Sequence, residues 1–268
     1  MIKLFEKFIH KSNDNIPQPA DPAGQATERQ PNVLENFDYN KQMWDGYAEW
    51  WTKEKVIVED ATIVQNREER LKYLGDEWGI SADVDEILNE FVLPYIKNTD
   101  VIGEIGSGGG RVASRLVDKC KEFYCFDISR EMLKKVSEAL SNQKNINYVL
   151  LETSGIPASL EEKFDFLYAF DVFVHLDLHN LWKYFHSFPK ALKPGGKVFV
   201  HTTNLTAPDG WNRFAEQDSF SIHGHYFITP ETVRTLAKNA GLKVIKESTP
   251  KEGNFYLNRD YLAVLERA

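Results

Sequence analysis

The chain has 268 residues, 42% of them hydrophobic and 27% charged, which is enough apolar material for one large domain, or one domain with an added cap, and too much for a globally disordered chain. Its 32 Lys and Arg against 40 Asp and Glu leave a formal charge of −8, a poor basis for gripping a phosphate backbone, so no nucleic-acid partner is expected. Cys120 and Cys125 form neither a CxxC motif nor a disulfide framework. No run of about 18 apolar residues exists for stable membrane insertion. The opening MIKLFEKFIHKS is too broken by Lys3, Glu6 and Lys7 for a signal peptide, so the expected setting is reducing and cytoplasmic.

Residues 1–33 read as an N-terminal helix and a flexible linker. Ile2, Phe5, Phe8 and Ile9 share one helical face. That face suits packing on its own domain or on a partner chain, a second copy included, better than it suits a membrane surface. Residues 12–33 are Pro-rich, polar and almost without large apolar groups. Residues 34–97 read as a helical cap. Between Phe37 and Trp51 stand Phe37, Tyr39, Trp44, Tyr47, Trp50 and Trp51. Some of these must serve helix packing, but aromatics at this density ahead of a core also roof a pocket, which makes Trp44, Tyr47 and Trp51 candidate substrate contacts. Residues 81–96 form a helix in this reading, with Ser81 as N-cap, acids in the first turn and a stripe of Val84, Ile87, Leu88, Phe91 and Val92 that Pro94 ends.

From residue 98 the pattern becomes regular. Short apolar runs at 101–105, 123–128, 146–151, 164–170, 197–202, 242–247 and 261–266 predict seven strands. Helical periods separate the early ones, and a last helix starts at Thr229-Pro230 and stops at Gly241. Alternating strands and helices predict an α/β doubly wound, mostly parallel, Rossmann-like sheet over 98–268. The final two runs lie too close together for a helix between them and predict an antiparallel hairpin at the sheet edge.

VIGEIGSGGGR at 101–111 follows the first core strand and precedes a helix. Gly106, Gly108 and Gly110 let the backbone turn sharply and approach a ligand, and the helix N-terminus behind them offers free N–H groups. The next strand ends in Asp127, where doubly wound folds place an acid for ribose hydroxyls. A dinucleotide fingerprint requires glycine at 111, where Arg111 stands instead. GxGxG preceded by Glu104 resembles motif I of the class I S-adenosylmethionine-dependent methyltransferases, and the resemblance extends over about 98–268. It implies S-adenosyl-L-methionine as cofactor, with the loop of Glu104, Gly106, Ser107, Gly108 and Gly110 under its methionine part. It further implies Asp127 on both ribose hydroxyls, Ile128 and Met132 as apolar contacts, and Glu152-Thr153 at the place that commonly reads the adenine amino group. FDFLYAFDVFVHL at 164–176 resembles the fourth-strand motif, which brings Phe170 to the cofactor; LKPGGKVFVHT and HYFITPETVRTLAKNAGLKV resemble later parts of the same fold.

An oxygen acceptor must lose a proton to be methylated, and histidine is the usual base near neutral pH. His175 and Asp171 follow the fourth strand and are candidate catalytic residues. His223 and His225 lie in the long connection 203–228, whose length marks it as functional. His201, Trp211 and Tyr226 are candidate substrate contacts, whereas His10 and His186 read as packing or surface groups. The histidine spacing matches no standard zinc pattern and cysteine ligands are missing, so no metal is expected. Phe170-Asp171-Val172-Phe173 is unlike the Asp/Asn-Pro-Pro-aromatic tetrapeptide of base-modifying enzymes. The favoured acceptor is a small-molecule hydroxyl. Small-molecule N-methylation and a non-catalytic binding module of the same fold are the alternatives.

Overall fold

The computed structural model describes residues 35–54, 81–217 and 224–267. The expected helix and linker of 1–33, and His223, lie outside them. Helix α1 spans Asn36–Glu54 and α2 Ser81–Phe91, with Pro94 in the short 3-10 turn Leu93–Tyr95 that follows. The core then runs β1 (Val101–Ile105), α3 (Ala113–Leu116), β2 (Glu122–Asp127), α4 (Arg130–Ala139), β3 (Ile146–Leu150), β4 (Phe164–Ala169), α5 (Leu178–Ala191) and β5 (Leu192–Thr203). It ends with α6 (Pro208–Glu216), α7 (Pro230–Asn239), β6 (Leu242–Glu247) and β7 (Asp260–Arg267).

One seven-stranded sheet has the order β3-β2-β1-β4-β5-β7-β6. The first five strands pair in parallel, and β7 is antiparallel to both β5 and β6. The final two strands pair antiparallel and form the expected hairpin at the edge of the sheet. Strand β7 inserts beside β5, and only β6 is outermost. Burial accounts for this order. Tyr261 to Leu265 are all buried and need a partner on each side, whereas β6 carries Lys243 and Lys246 and is only half-buried, as suits an edge.

Side chains alternate between two apolar layers, as a strand period of two requires. Phe123 and Cys125 of β2 and Phe166 of β4 join Ile87, Leu88 and Phe91 of α2, Leu116 of α3 and Val136 of α4 on one face. Phe126 of β2 and Leu167 of β4 join Leu181, Phe185 and Phe188 of α5 and Val233 of α7 on the other. Helices cover both faces, so β1 is buried at every position.

Burial of β1 fixes the direction in which the chain leaves it. Gly106 turns with φ +68°, and the Gly106 and Ser107 N–H groups both donate to Phe126 O at 2.7 and 3.0 Å. A Cβ at Gly106 would stand 2.4 Å from Val172 Cγ2. Gly106→Ala is therefore expected to destabilise the protein by about 1–3 kcal/mol through backbone strain, with the clash adding to it, as read by urea unfolding. A midpoint equal to wild type would contradict the tight turn.

Candidate active site

A pocket of about 880 Å³, open to solvent, lies beyond the carboxyl ends of β1, β2 and β4. This is where open α/β sheets place ligands. Its floor is the loop from Glu104 to Gly108 with Arg111; Asp127, Ile128 and Met132 form one wall. Phe170, Asp171, Val172 and His175 form the opposite wall, and Phe37, Asn40 and Trp44 of α1 close over it. Glu152 and Thr153 are exposed and do not line the pocket; Leu151 and Ser154 do. Gly110 also faces away, with φ +92° and Val136 Cγ2 3.0 Å from where its Cβ would be, so it serves the packing of the loop on α4.

Asp127 is held by two backbone donors. Gly108 N–H donates to Oδ2 at 2.9 Å and Ser129 N–H to Oδ1 at 2.9 Å, and each oxygen keeps lone-pair capacity for a further donor. Burial pushes its carboxyl up to about 6, the backbone donors oppose this, and the nearby Asp45 carboxylate adds to it. Ser129 also caps α4 by accepting from Met132 N–H at 3.1 Å, and it donates to Asp45 Oδ1 of α1 at 2.6 Å. Sequence reading passed over Ser129, although its place just before the helical run 130–139 was an N-cap signal.

Glu104 is 3% exposed, and its Oε2 has no hydrogen-bond partner among the described residues. Burial pushes its carboxyl up to about 8, and Ser107 offsets this only in part. Behind the loop Arg111 gives Asp171 Oδ2 a bond of 2.6 Å and Tyr256 Oη one of 3.1 Å; the Tyr256 hydroxyl donates to the same Asp171 oxygen at 3.1 Å. Burial alone would raise the Asp171 carboxyl, but the Arg111 guanidinium, with Arg259 near, overrides it and holds the group well below the usual carboxylate range. Asp171 lines the pocket with its carboxylate committed to Arg111 and Tyr256.

The histidines separate by environment. His201 is fully buried; its Nδ1 accepts from Asp171 N–H at 3.0 Å, so Nε2 carries the proton and donates to Asp260 Oδ2 at 2.9 Å. A ring engaged at both nitrogens is structural, not a substrate contact. His225 is 9% exposed, and burial, then His175 and Arg259, push its ring well below the usual histidine range, so it stays neutral and is a poor base. His175 does line the pocket. Its Nδ1 lies 3.2 Å from Gly224 O, and because a carbonyl only accepts, Nδ1 holds the proton and Nε2 is the basic nitrogen.

Helix α1 fixes the segment carrying His175. Asn36 and Asn40, one turn apart, each donate to His175 O at 3.1 Å, and Trp44 meets the His175 ring edge-on at 5.4 Å. Of the other aromatic candidates, Tyr47 is buried against Trp44, Tyr226 is tied through its main chain to Val174 and Thr203, and Trp211 is 56% exposed on α6. None of the three lines the pocket. The side chain of Trp51 lies outside the described residues. Among the described residues no group of three or more His, Cys, Asp or Glu is arranged to hold a metal ion, and no helix is long and apolar enough to cross a membrane.

Residues 103–200 match a family model described as a methyltransferase domain. Over 193 residues the chain is 25% identical to a ubiquinone biosynthesis O-methyltransferase from Hydrogenovibrio crunogenus, covering 68% of this chain and 78% of that protein. The structure is similar to magnesium protoporphyrin IX methyltransferase from Synechocystis PCC 6803 solved with bound S-adenosylmethionine, with TM-score 0.57, 13% identity and coverage of 89% of this chain and 100% of that one. It is also similar to the 4+2 cyclase SpnF, with TM-score 0.57, 12% identity and coverage of 70% and 80%. At these identities the structural matches establish the fold.

Glu104 supplies a test of the site that needs no ligand. Its folded carboxyl titrates near 8, above its ordinary 4.5, so its contribution to stability is present at low pH and is lost as pH rises from about 4.5 through 8. Glu104→Gln is expected to match wild type near pH 5 and to exceed it at pH 8 in urea unfolding, the gap growing by up to about 1.4 kcal/mol per pH unit. A gap independent of pH would contradict the buried carboxyl.

Proposed function

We propose that this chain, whose residues 103–200 match a methyltransferase-domain model, is a class I S-adenosylmethionine-dependent methyltransferase that transfers the methyl group to a hydroxyl of a small-molecule acceptor with His175 as general base. The observation that carries this reading is the position of His175. Its ring lines the same pocket as Glu104 and Asp127, with Nδ1 committed to Gly224 O and Nε2 as the basic nitrogen.

The residues of the pocket fit the cofactor. Glu104 Oε2 is a buried carboxyl oxygen without a hydrogen-bond partner among the described residues, and a cationic group there would favour its ionised form. No atom of the described residues stands within 4 Å of where a Cβ at Gly108 would be, which leaves the loop open to a ligand there. The Asp127 oxygens retain capacity for the two ribose hydroxyls, and Ile128, Met132 and Phe170 provide apolar surface. When bound, S-adenosylmethionine supplies a methyl group on a sulfonium, already a good leaving group.

The chain's own work is then positioning and proton removal. Phe37 and Trp44 bound the side of the pocket next to His175 and hold an acceptor there. Orientation of this kind supplies roughly 7–11 kcal/mol of barrier reduction. His175 Nε2 takes the hydroxyl proton, and Asn36 and Asn40 keep the segment in register by holding its carbonyl. A hydroxyl gains more from this arrangement than an amine, which reaches neutral pH with less need of a base.

Asp127→Ala is expected to weaken S-adenosylhomocysteine binding more than tenfold in calorimetry; an unchanged dissociation constant in a folded variant would remove the ribose assignment. His175→Ala is expected to lower kcat by about 10²–10⁴-fold on a hydroxyl acceptor found by screening for S-adenosylhomocysteine release, with cofactor affinity within twofold of wild type. Equal turnover would exclude His175 as base, and a screen in which only amines react would replace the hydroxyl by nitrogen.

A further inference from the structure

The pocket floor holds an acid that the rest of the chain does not answer. Glu104 lines the pocket, yet it is 3% exposed and its Oε2 has no hydrogen-bond partner among the described residues. Register fixes its neighbours across the sheet, Cys125 of β2 on one side and Tyr168 of β4 on the other. Both are fully buried, and burial first, then the Glu104 carboxylate, pushes each well above its ordinary value, so the thiol and the phenol stay protonated at neutral pH. Around Glu104 itself, burial favours the neutral acid, the Ser107 and Tyr168 hydroxyls and the Arg111 guanidinium oppose it, and Asp127 adds to it. Arg111 is already committed to Asp171 at 2.6 Å and to Tyr256 at 3.1 Å. Burial therefore wins, and the carboxyl titrates near 8. A cation brought within about 4–6 Å of a carboxyl favours the ionised form, so a ligand ammonium at Oε2 reverses this balance.

We propose that Glu104 meets the cofactor as a neutral carboxylic acid and that the cofactor's α-ammonium takes the place of the carboxyl proton, which leaves to solvent. The O–H bond of Glu104 breaks, its electron pair stays on the carboxylate, and a charge-assisted hydrogen bond from the ammonium replaces it. This rests on the reading of the pocket as the S-adenosylmethionine site with the amino acid end beside Glu104. The exchange makes Glu104 a specificity residue for a free amino group on the chain beyond the sulfur. A nucleoside thioether without that group leaves the carboxyl protonated and forgoes the ion pair. By linkage, cofactor affinity rises with pH while the free carboxyl holds its proton, and levels off once it is ionised. The Asp127 carboxyl, raised to about 6, belongs to the nucleoside end, so a ligand with the nucleoside alone separates the two acids.

The test titrates the full chain calorimetrically at pH 7.0 in two buffers of different ionisation enthalpy, which counts the protons released. S-adenosylhomocysteine is expected to release about 0.9 proton per molecule bound, and 5′-methylthioadenosine, which has the nucleoside and the sulfur but no amino acid end, close to none. From pH 6.5 to 7.5 the affinity for S-adenosylhomocysteine is expected to rise about eightfold relative to that for methylthioadenosine. Glu104→Gln is expected to abolish both the release and the rise, with methylthioadenosine affinity within twofold of wild type. Release of less than half a proton, equal release with the two ligands, or undiminished release in a folded Glu104→Gln would overturn the proposal. If the variant does not fold, the two ligands on wild type decide; if methylthioadenosine binds too weakly to measure, the variant decides. Binding without proton release removes the exchange alone, whereas no binding of S-adenosylhomocysteine removes the cofactor reading and the exchange with it.

Discussion

Arg111 carries its guanidinium into the interior directly behind the glycine loop, and Asp171 and Tyr256 are what it meets there. A buried guanidinium is tolerated only when its charge and its donors are answered, so this contact fixes where the loop after β1 stands relative to the turn after β4. Asp171 adopts φ +57°, a left-handed backbone that aspartate tolerates better than most residues. From that bend the chain passes through Val172, which packs on Gly106, to the short turn that ends at His175. The loop that would hold the methionine part and the residue that would take the acceptor proton are thus set by one ion pair. Asp171 N–H also reaches His201 Nδ1, which extends the network through Asp260 to Arg259 and fixes the end of β7 in the same frame.

Helix α1 clamps the opposite side. Near its start Asn36 and Asn40 hold the His175 carbonyl, and five residues on Asp45 accepts from Ser129, whose own N–H binds Asp127. One element therefore touches the surroundings of both Asp127 and His175. The Asp45 carboxylate raises the Asp127 carboxyl, so the helix that closes the pocket also bears on the protonation of the group beneath it.

Much of this was legible in the sequence, because the signals were local. The apolar runs located all seven strands, and the glycines with Glu104 and Asp127 located the pocket floor, since turn geometry and strand endings depend on near neighbours. The order within the terminal hairpin, with β7 against β5 and β6 outermost, was not legible: it depends on which strand can be buried on both sides. Glu152-Thr153 was misplaced because the family pattern gives a position after β3 without saying which side chain turns inward. The Arg111 contacts were missed for a different reason. They join residues 60 and 145 positions apart, and no periodicity reports contacts at that separation. Arg111 had stood out only as the wrong residue for a dinucleotide fingerprint. Asn36 and Asn40 carried a weak signal, two asparagines one turn apart on a helix rich in aromatics.

The account is tested most directly by a crystal structure of the full chain with S-adenosylhomocysteine. It predicts the ribose hydroxyls on the Asp127 carboxylate, the amino acid end beside Glu104, and the sulfur facing the side of the pocket where His175 and Trp44 stand. Density for the ligand outside the Glu104–Asp127 crevice, or a sulfur turned away from His175, would contradict it.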